Sequence, residues 1–145
     1  MVSPSLEFQQ AVLEALRGSA EVLALVHGVY DGVTFGKAKK AQGAPWGAKR
    51  GYVSFGPESS VPDDFDCLAL DEITLQVDVW SKRPGRVHCK TICAAVRMAL
   101  RGVVLDLPTY GHLRTSLVLE RVIPDPRVGI THGVMQFSAE IEEAR

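Results

Sequence analysis

Three groups of residues in this chain have the types and spacing that chemistry could use. His88, Cys89 and Cys93 are close together, and the two cysteines stand one helical turn apart, so both sulfurs can face one ion. A zinc site is tetrahedral and needs further ligands, and His112 and His132, near strand starts, are the plausible recruits. Both cysteines also fall in an apolar stripe, where free cysteine is a common core residue, and core packing is the preferred reading. Asp63, Asp64 and Asp66 form a run of acids beside Pro62, and they read as a solvated segment rather than as paired catalytic carboxylates. The third group is "GKAKKAQGAPWGAKRG", residues 36–51, with Lys37, Lys39, Lys40, Lys49 and Arg50, Trp46 and no acid.

That basic stretch is not a nucleotide-phosphate loop. Such a loop ends in Gly-Lys-Ser/Thr after its backbone-fixing positions, whereas here Gly36-Lys37 comes first and Ala38 follows. The open readings are a solvated insertion or a contact with a polyanion. No Gly-x-Ser-x-Gly and no His-Glu-x-x-His occurs, so neither a nucleophile elbow nor a zincin motif is present. Trp80 ends an alternating segment on its polar side, which makes it a rim residue or the anchor of a subunit interface.

The elements that must carry these residues follow from periodicity. Ser3 and Pro4 open a helix whose Leu6, Leu13 and Leu16 recur at near-helical spacing until Gly18. "AEVLALV" adds another turn or two before Gly28, and Val29–Val33 reads as a short strand or turn. "GYVSFG" (Gly51–Gly56) is a short strand, and the Pro- and acid-containing stretch from Pro57 to Asp71 reads as a loop. Ile73, Leu75, Val77 and Val79 alternate with polar residues as a clear strand. "SKRPGR" is a turn, residues 86–101 are a helix with Cys89, Ile92, Cys93, Val96 and Leu100 on one face, and Gly102 stops it. Leu113–Leu119 and His132–Glu142 alternate again. The expected fold is α+β in two layers: about four mainly antiparallel strands, in the order α-β-β-α-β-β, with two helices on one face. Residues 1–145 make one domain with a basic loop insertion at 36–51.

Composition agrees with a packed domain: 145 residues, 46% apolar and 23% charged, with a net charge of −1. Near-neutrality confines any polyanion-binding surface to a local patch. Three cysteines cannot all pair within one chain, which suggests free thiols and a reducing compartment. The N-terminal "MVSPSLEFQQ" lacks a signal-peptide pattern, and no apolar run approaches the roughly 20 residues of a membrane helix. The expectation is a cytoplasmically made protein with no membrane partner, no cofactor and no enzymatic site.

Longer stretches carry a resemblance. "ITLQVDVWSKRPGRVHCKTICAAVRMALRGVVL" is a strand ending in Val-Trp-Ser, a Gly-containing turn and a helix closing on Leu-x-Gly. "IPDPRVGITHGVMQFSAEIEE" is a Pro-Asp turn and a His-Gly-Val strand start, and "LALVHGVYDGV" follows the first helix. In this order the stretches resemble the tail-completion, or tail-terminator, family of long-tailed bacteriophages and gene transfer particles over nearly the whole chain. One departure is that Ala44-Pro45-Trp46 sits inside a longer basic insertion, where the family has a short Pro-containing loop. The resemblance implies a structural virion protein of the tail and neck, assembled in the bacterial host cytoplasm. It implies a ring of identical subunits, hexameric in the family, that caps the head-proximal end of the tail tube, ends tube polymerisation and joins tail to head. The implied partners are the chain itself, the tail tube protein, a head-completion or neck protein, and double-stranded DNA passing through the lumen. A head-closure or neck connector is the alternative, and a small nucleic-acid-binding module the more distant one. In a threaded ring, Lys37, Lys39, Lys40, Lys49 and Arg50 would line the lumen or, with Trp46, touch an adjoining ring, and Trp80 would be the candidate subunit anchor.

Overall fold

The computed structural model describes residues 3–32, 44–63 and 69–143. Among the described residues, three helices and five strands follow one another as α1 (Pro4–Arg17), α2 (Ala20–Leu25), β1 (Val29–Tyr30), β2 (Gly51–Pro62), β3 (Leu70–Ser81), α3 (Val87–Leu100), β4 (Gly111–Pro124) and β5 (Thr131–Glu142). The strands form one sheet in the order β1-β2-β3-β5-β4. All neighbours are antiparallel except β1, which runs parallel to β2 through Val29–Val53 and Tyr30–Ser54. The expected two-layer α+β class holds, with one more strand and one more helix than the sequence reading counted.

The extra helix arises where Gly18 closes α1 and Ser19 starts α2, its side chain accepting the Val22 N–H at 3.3 Å. The extra strand is the two-residue β1, tied to α1 by Arg17 Nε, which donates to the Val29 carbonyl at 2.9 Å. Ser3 sits at the N-cap of α1 as expected, but its hydroxyl bonds Ser5 and not the helix backbone.

The alternation of β3 and β5 is the alternation of the sheet's two faces. Ile73, Leu75, Val77 and Val79 of β3 and Met135, Phe137, Ala139 and Ile141 of β5 are buried under the helices. Phe8, Val12 and Leu16 of α1 and Cys89, Ile92, Cys93 and Val96 of α3 close this core. Burial of such side chains stabilises by roughly 1.5–3 kcal/mol each and fixes which face looks inward. Gly133 lets α3 pack close to β5: a Cβ there would be 2.7 Å from Cys93 Sγ and 3.0 Å from Cys89 Sγ.

The stretch from Pro57 to Pro62, expected as loop, is the second half of β2 and pairs with β3 as far as Pro62–Asp71. A bulge between Phe55 and Glu58 shifts its phase, and residues 57–63 are exposed on both faces. An edge strand without a buried face shows no hydrophobic alternation, so periodicity had nothing to report. The expected turn "SKRPGR" and the helix after it stand where the sequence put them.

Candidate interaction surfaces

On the face of the sheet away from the helices, one row of residues runs from strand to strand: Tyr52, Trp80, His132 and Ile123. Trp80 stacks on His132 with ring centres 3.8 Å apart and planes 7° from parallel, and on Tyr52 at 6.3 Å. Its Nε1–H donates to Ser54 Oγ at 3.1 Å, and the Arg127 guanidinium lies 5.4 Å from its ring centre. His132 Nε2 meets Asp78 Oδ1 at 2.7 Å. Arg127 also bonds Asp125 at 2.7 Å, and this bond holds the Asp125 carboxyl below the usual carboxylate range.

The C-terminal half of the basic stretch folds onto this row. Trp46 is 7% exposed and meets Tyr52 edge-on at 5.0 Å, forming with Ala44 and Ile130 a second small apolar cluster. Burial in that cluster pushes the Tyr52 phenol up to about 12. Trp46 and Ala44 therefore pack against the protein's own sheet, while residues 47–50 are exposed. Gly47, at φ 62°, allows the turn, and a Cβ there would fall 2.2 Å from the His27 ring. Arg50 adopts φ 61°, a left-handed conformation uncommon outside glycine. Lys37, Lys39 and Lys40 lie outside the described residues.

Beside the anchored loop opens a cleft of about 420 Å³ between the end of α2, the 81–86 turn and the first turn of α3. Arg50 and Arg83 line it, with Leu25, Val87 and Thr91. Arg83 Nε donates to the Lys49 carbonyl at 3.1 Å, and Lys49 Nζ donates to the Leu23 carbonyl, so both cations tie neighbouring segments of the chain together. Lys82 lies 5.9 Å from the Trp46 ring centre. Exposed Lys49, Arg50, Lys82, Arg83 and Arg86 thus share one end of the sheet. The opposite end carries Asp63, Asp71, Glu72, Glu140, Glu142 and Glu143, so a net charge of −1 conceals a molecule polarised along its strands. Sequence reading singled out Lys49 and Arg50 but passed over Lys82, Arg83 and Arg86, whose signal was the density of cations in "SKRPGR".

His88 forms the floor of the cleft and is 6% exposed. Its Nε2–H donates to the Leu25 carbonyl at 2.9 Å, which leaves Nδ1 to accept the Ser81 hydroxyl at 2.7 Å. Burial holds this imidazole below the usual histidine range, and so does burial at His112. His88 is thus a structural tie between α2, β3 and α3. Cys89 and Cys93 point from α3 into the core, and the hydrogen bond to Cys89, with burial, holds the Cys93 thiol above its ordinary range. Among the described residues no three His, Cys, Asp or Glu side chains converge as metal ligands.

A small α+β protein with one five-stranded sheet, helices on one face of it and its charge polarised along the strands is the class that these features define. The chain matches the tail completion protein gp17 family over residues 10–142 and belongs to it. A structural role in a tail is what membership carries. Two solved structures share the fold. A chain in the virion of a native gene transfer agent particle is 24% identical, with a TM-score of 0.80, and the match covers 98% of this chain and 99% of that one. The bacteriophage SPP1 gp17 protein is also 24% identical, with a TM-score of 0.57, over 93% of this chain and 88% of that one. No curated protein matches in sequence.

Proposed function

We propose that this protein is a tail terminator: a structural virion protein, not an enzyme, that forms a ring at the head-proximal end of the tail tube. There it stops tube polymerisation and offers the surface on which head and neck join. The observation that carries this reading is the end-to-end match, at a TM-score of 0.80, to a chain that is part of an assembled gene transfer agent virion. Family membership over residues 10–142 supports the tail. A ring of one chain needs a heterologous interface that closes, and the family resemblance favours six copies. The partners are the tail tube, a head-completion or neck protein, and DNA in the lumen, with assembly in the host cytoplasm. The basic end of the sheet supports the lumen contact: every cation there is repeated in each copy, which multiplies a charge that one chain hides. Phosphate contacts of this kind hold DNA without reading its sequence.

The test is reconstitution. Added to polymerising tube protein, the purified chain should cap tubes as rings visible by negative-stain microscopy and hold their length constant. Particles lacking it should accumulate unjoined heads and tails of irregular length. A chain that leaves tube length unchanged and binds neither end of the tube overturns the reading.

A further inference from the structure

The two outer edges of the sheet match each other. Among the described residues β4 is paired only to β5, and β1 covers β2 only at Val53 and Ser54, so the far half of β2, paired to β3 on one side, is open on the other. Bulges interrupt both edges: Phe55/Glu58 in β2, and His112/Arg114 and Leu117/Leu119 in β4. Between them remain two regular segments, 58–62 and 114–117. Across the sheet they lie on the same rows. Glu58, Leu75, Phe137 and Leu117 make one row, followed by Ser59–Thr74–Ser138–Ser116, Ser60–Ile73–Ala139–Thr115, and Val61–Glu72–Glu140–Arg114.

Their hydrogen-bonding phase matches as well. Asp63 N–H donates to the Leu70 carbonyl, and bonded and non-bonded positions alternate along an antiparallel pair, so Ser60 and Glu58 turn their backbone groups to the open edge. Pro62, which has no N–H, falls at an outward position too. At the other edge, Asp125 N–H donates to the Ile130 carbonyl, and the same alternation along β5 turns Thr115 and Leu117 outward. Strand directions agree: with β2 and β5 pointing one way, β3 and β4 point the other, so the β4 of one copy meets the β2 of an identically oriented copy antiparallel.

Charge agrees too. A groove of about 180 Å³ beneath Leu117 is lined by Arg97 and Arg101, exposed residues at the end of α3. Glu58, in the Leu117 row, projects on that helix-bearing face. Among the described residues none of the three makes an ion pair. Long uncovered edges are a liability for a solitary sheet, and these carry Val61, 57% exposed, and Val118, 61% exposed.

We propose that the partner of each edge is a second copy of this chain: segment 114–117 of one copy pairs with segment 58–62 of the next, and the sheet continues from subunit to subunit. Thr115 exchanges backbone bonds with Ser60 and Leu117 with Glu58, while the Glu58 carboxylate enters the Arg97–Arg101 groove of its neighbour. The bulges on either side limit the joint to this short stretch. The contact is heterologous, as a closed ring requires, and the inference rests on the ring reading above.

Ser59 and Ser116 would form the close, non-bonded pair of the joint, whose Cα atoms approach to about 4.5 Å, within disulfide reach. In a Cys67→Ser background, oxidation of S59C/S116C should give a ladder of covalent oligomers on a non-reducing gel, ending at the ring, while each single variant gives none. Ser60→Pro removes only an outward N–H and should weaken assembly roughly tenfold with an unchanged unfolding midpoint. Glu58→Arg should do the same and be rescued by R97E/R101E. Rings of normal size that give no ladder and tolerate both substitutions overturn this interface and leave the ring reading standing. A chain that stays monomeric, alone and with tail tubes, overturns both.

Discussion

The indole of Trp80 lies flat on the imidazole of His132, 3.8 Å between ring centres, and His132 in turn meets Asp78 at 2.7 Å. Arg127 and Tyr52 also neighbour the indole, which is therefore packed within its own chain while remaining partly exposed. That changes what a substitution reports. An indole held in reserve for a neighbouring copy could be truncated to Ala with the monomer left intact. With this packing, Trp80→Ala should itself destabilise the folded chain by about 2 kcal/mol, less than the 3–5 kcal/mol of a fully buried aromatic. Trp80→Phe should keep much of the stacking while losing the bond to Ser54. Denaturant unfolding of the two variants checks the order. Equal stability of Trp80→Ala and the parent would return Trp80 to the role of an uncommitted surface anchor.

Gly133 is a point of close approach between α3 and the sheet. Gly133→Ala places a methyl 2.7 Å from Cys93 Sγ and 3.0 Å from Cys89 Sγ, in the middle of paired β5. Overpacking of this kind costs about 1–3 kcal/mol. Cys93→Ala should relieve part of it, so the double variant should be more stable than the sum of the single effects predicts. A thermal-melt cycle with no coupling would mean that α3 yields instead of the sulfur.

Stability should fall in mild acid. Burial depresses the folded-state values of His88 and His112, so the unfolded chain takes up protons first as pH drops through about 6.5. The contribution of these two neutral rings is complete above that value and is lost as pH falls through their lower folded values. Unfolding free energy measured between about pH 7.5 and pH 5 should decline, and more steeply than in a His88→Gln, His112→Gln variant. A parallel decline in both would assign the acid sensitivity to other groups.

What was legible in the sequence follows from where burial is one-sided. β3 and β5 are central strands with helices on one face, and their period of two marks residues 73–79 and 135–141 directly. The α3 stripe was legible for the same reason, at helical period. β2 beyond Gly56 was not, because neither face is covered, and Pro57 and Pro62 look like loop residues when the strand's edge position is unknown. The docking of Trp46 was hidden too. It depends on the register that brings Tyr52 beside Trp80, a long-range relation that no local window contains. The basic end was half visible: Lys49 and Arg50 were marked, whereas Arg83 and Arg86 join them only once the β2–β3 pairing brings the 81–86 turn alongside.

That basic end should reveal its partner through salt. Lys49, Arg50, Lys82, Arg83 and Arg86 are exposed at one end of the sheet, where Arg50 and Arg83 line the cleft and Arg83 is bonded to the Lys49 carbonyl. If this end faces DNA in the assembled ring, it meets phosphate, and binding must be salt-sensitive. Changing the five residues to Gln removes the Lys49 and Arg83 bonds to backbone carbonyls and should lower the unfolding midpoint slightly, but should leave ring formation intact if copies join through the edges proposed above. It should lower the affinity of the ring for double-stranded DNA and flatten the salt dependence, the logarithmic slope falling by about 0.9 for each phosphate no longer neutralised. A second variant with Lys37, Lys39 and Lys40 changed to Gln separates the contribution of the preceding stretch. Binding measured from about 50 to 200 mM salt gives both slopes. If the five-residue variant keeps the parent slope, this end of the sheet meets a protein neighbour or solvent instead of DNA, and the tail tube or the neck becomes the partner to test against it.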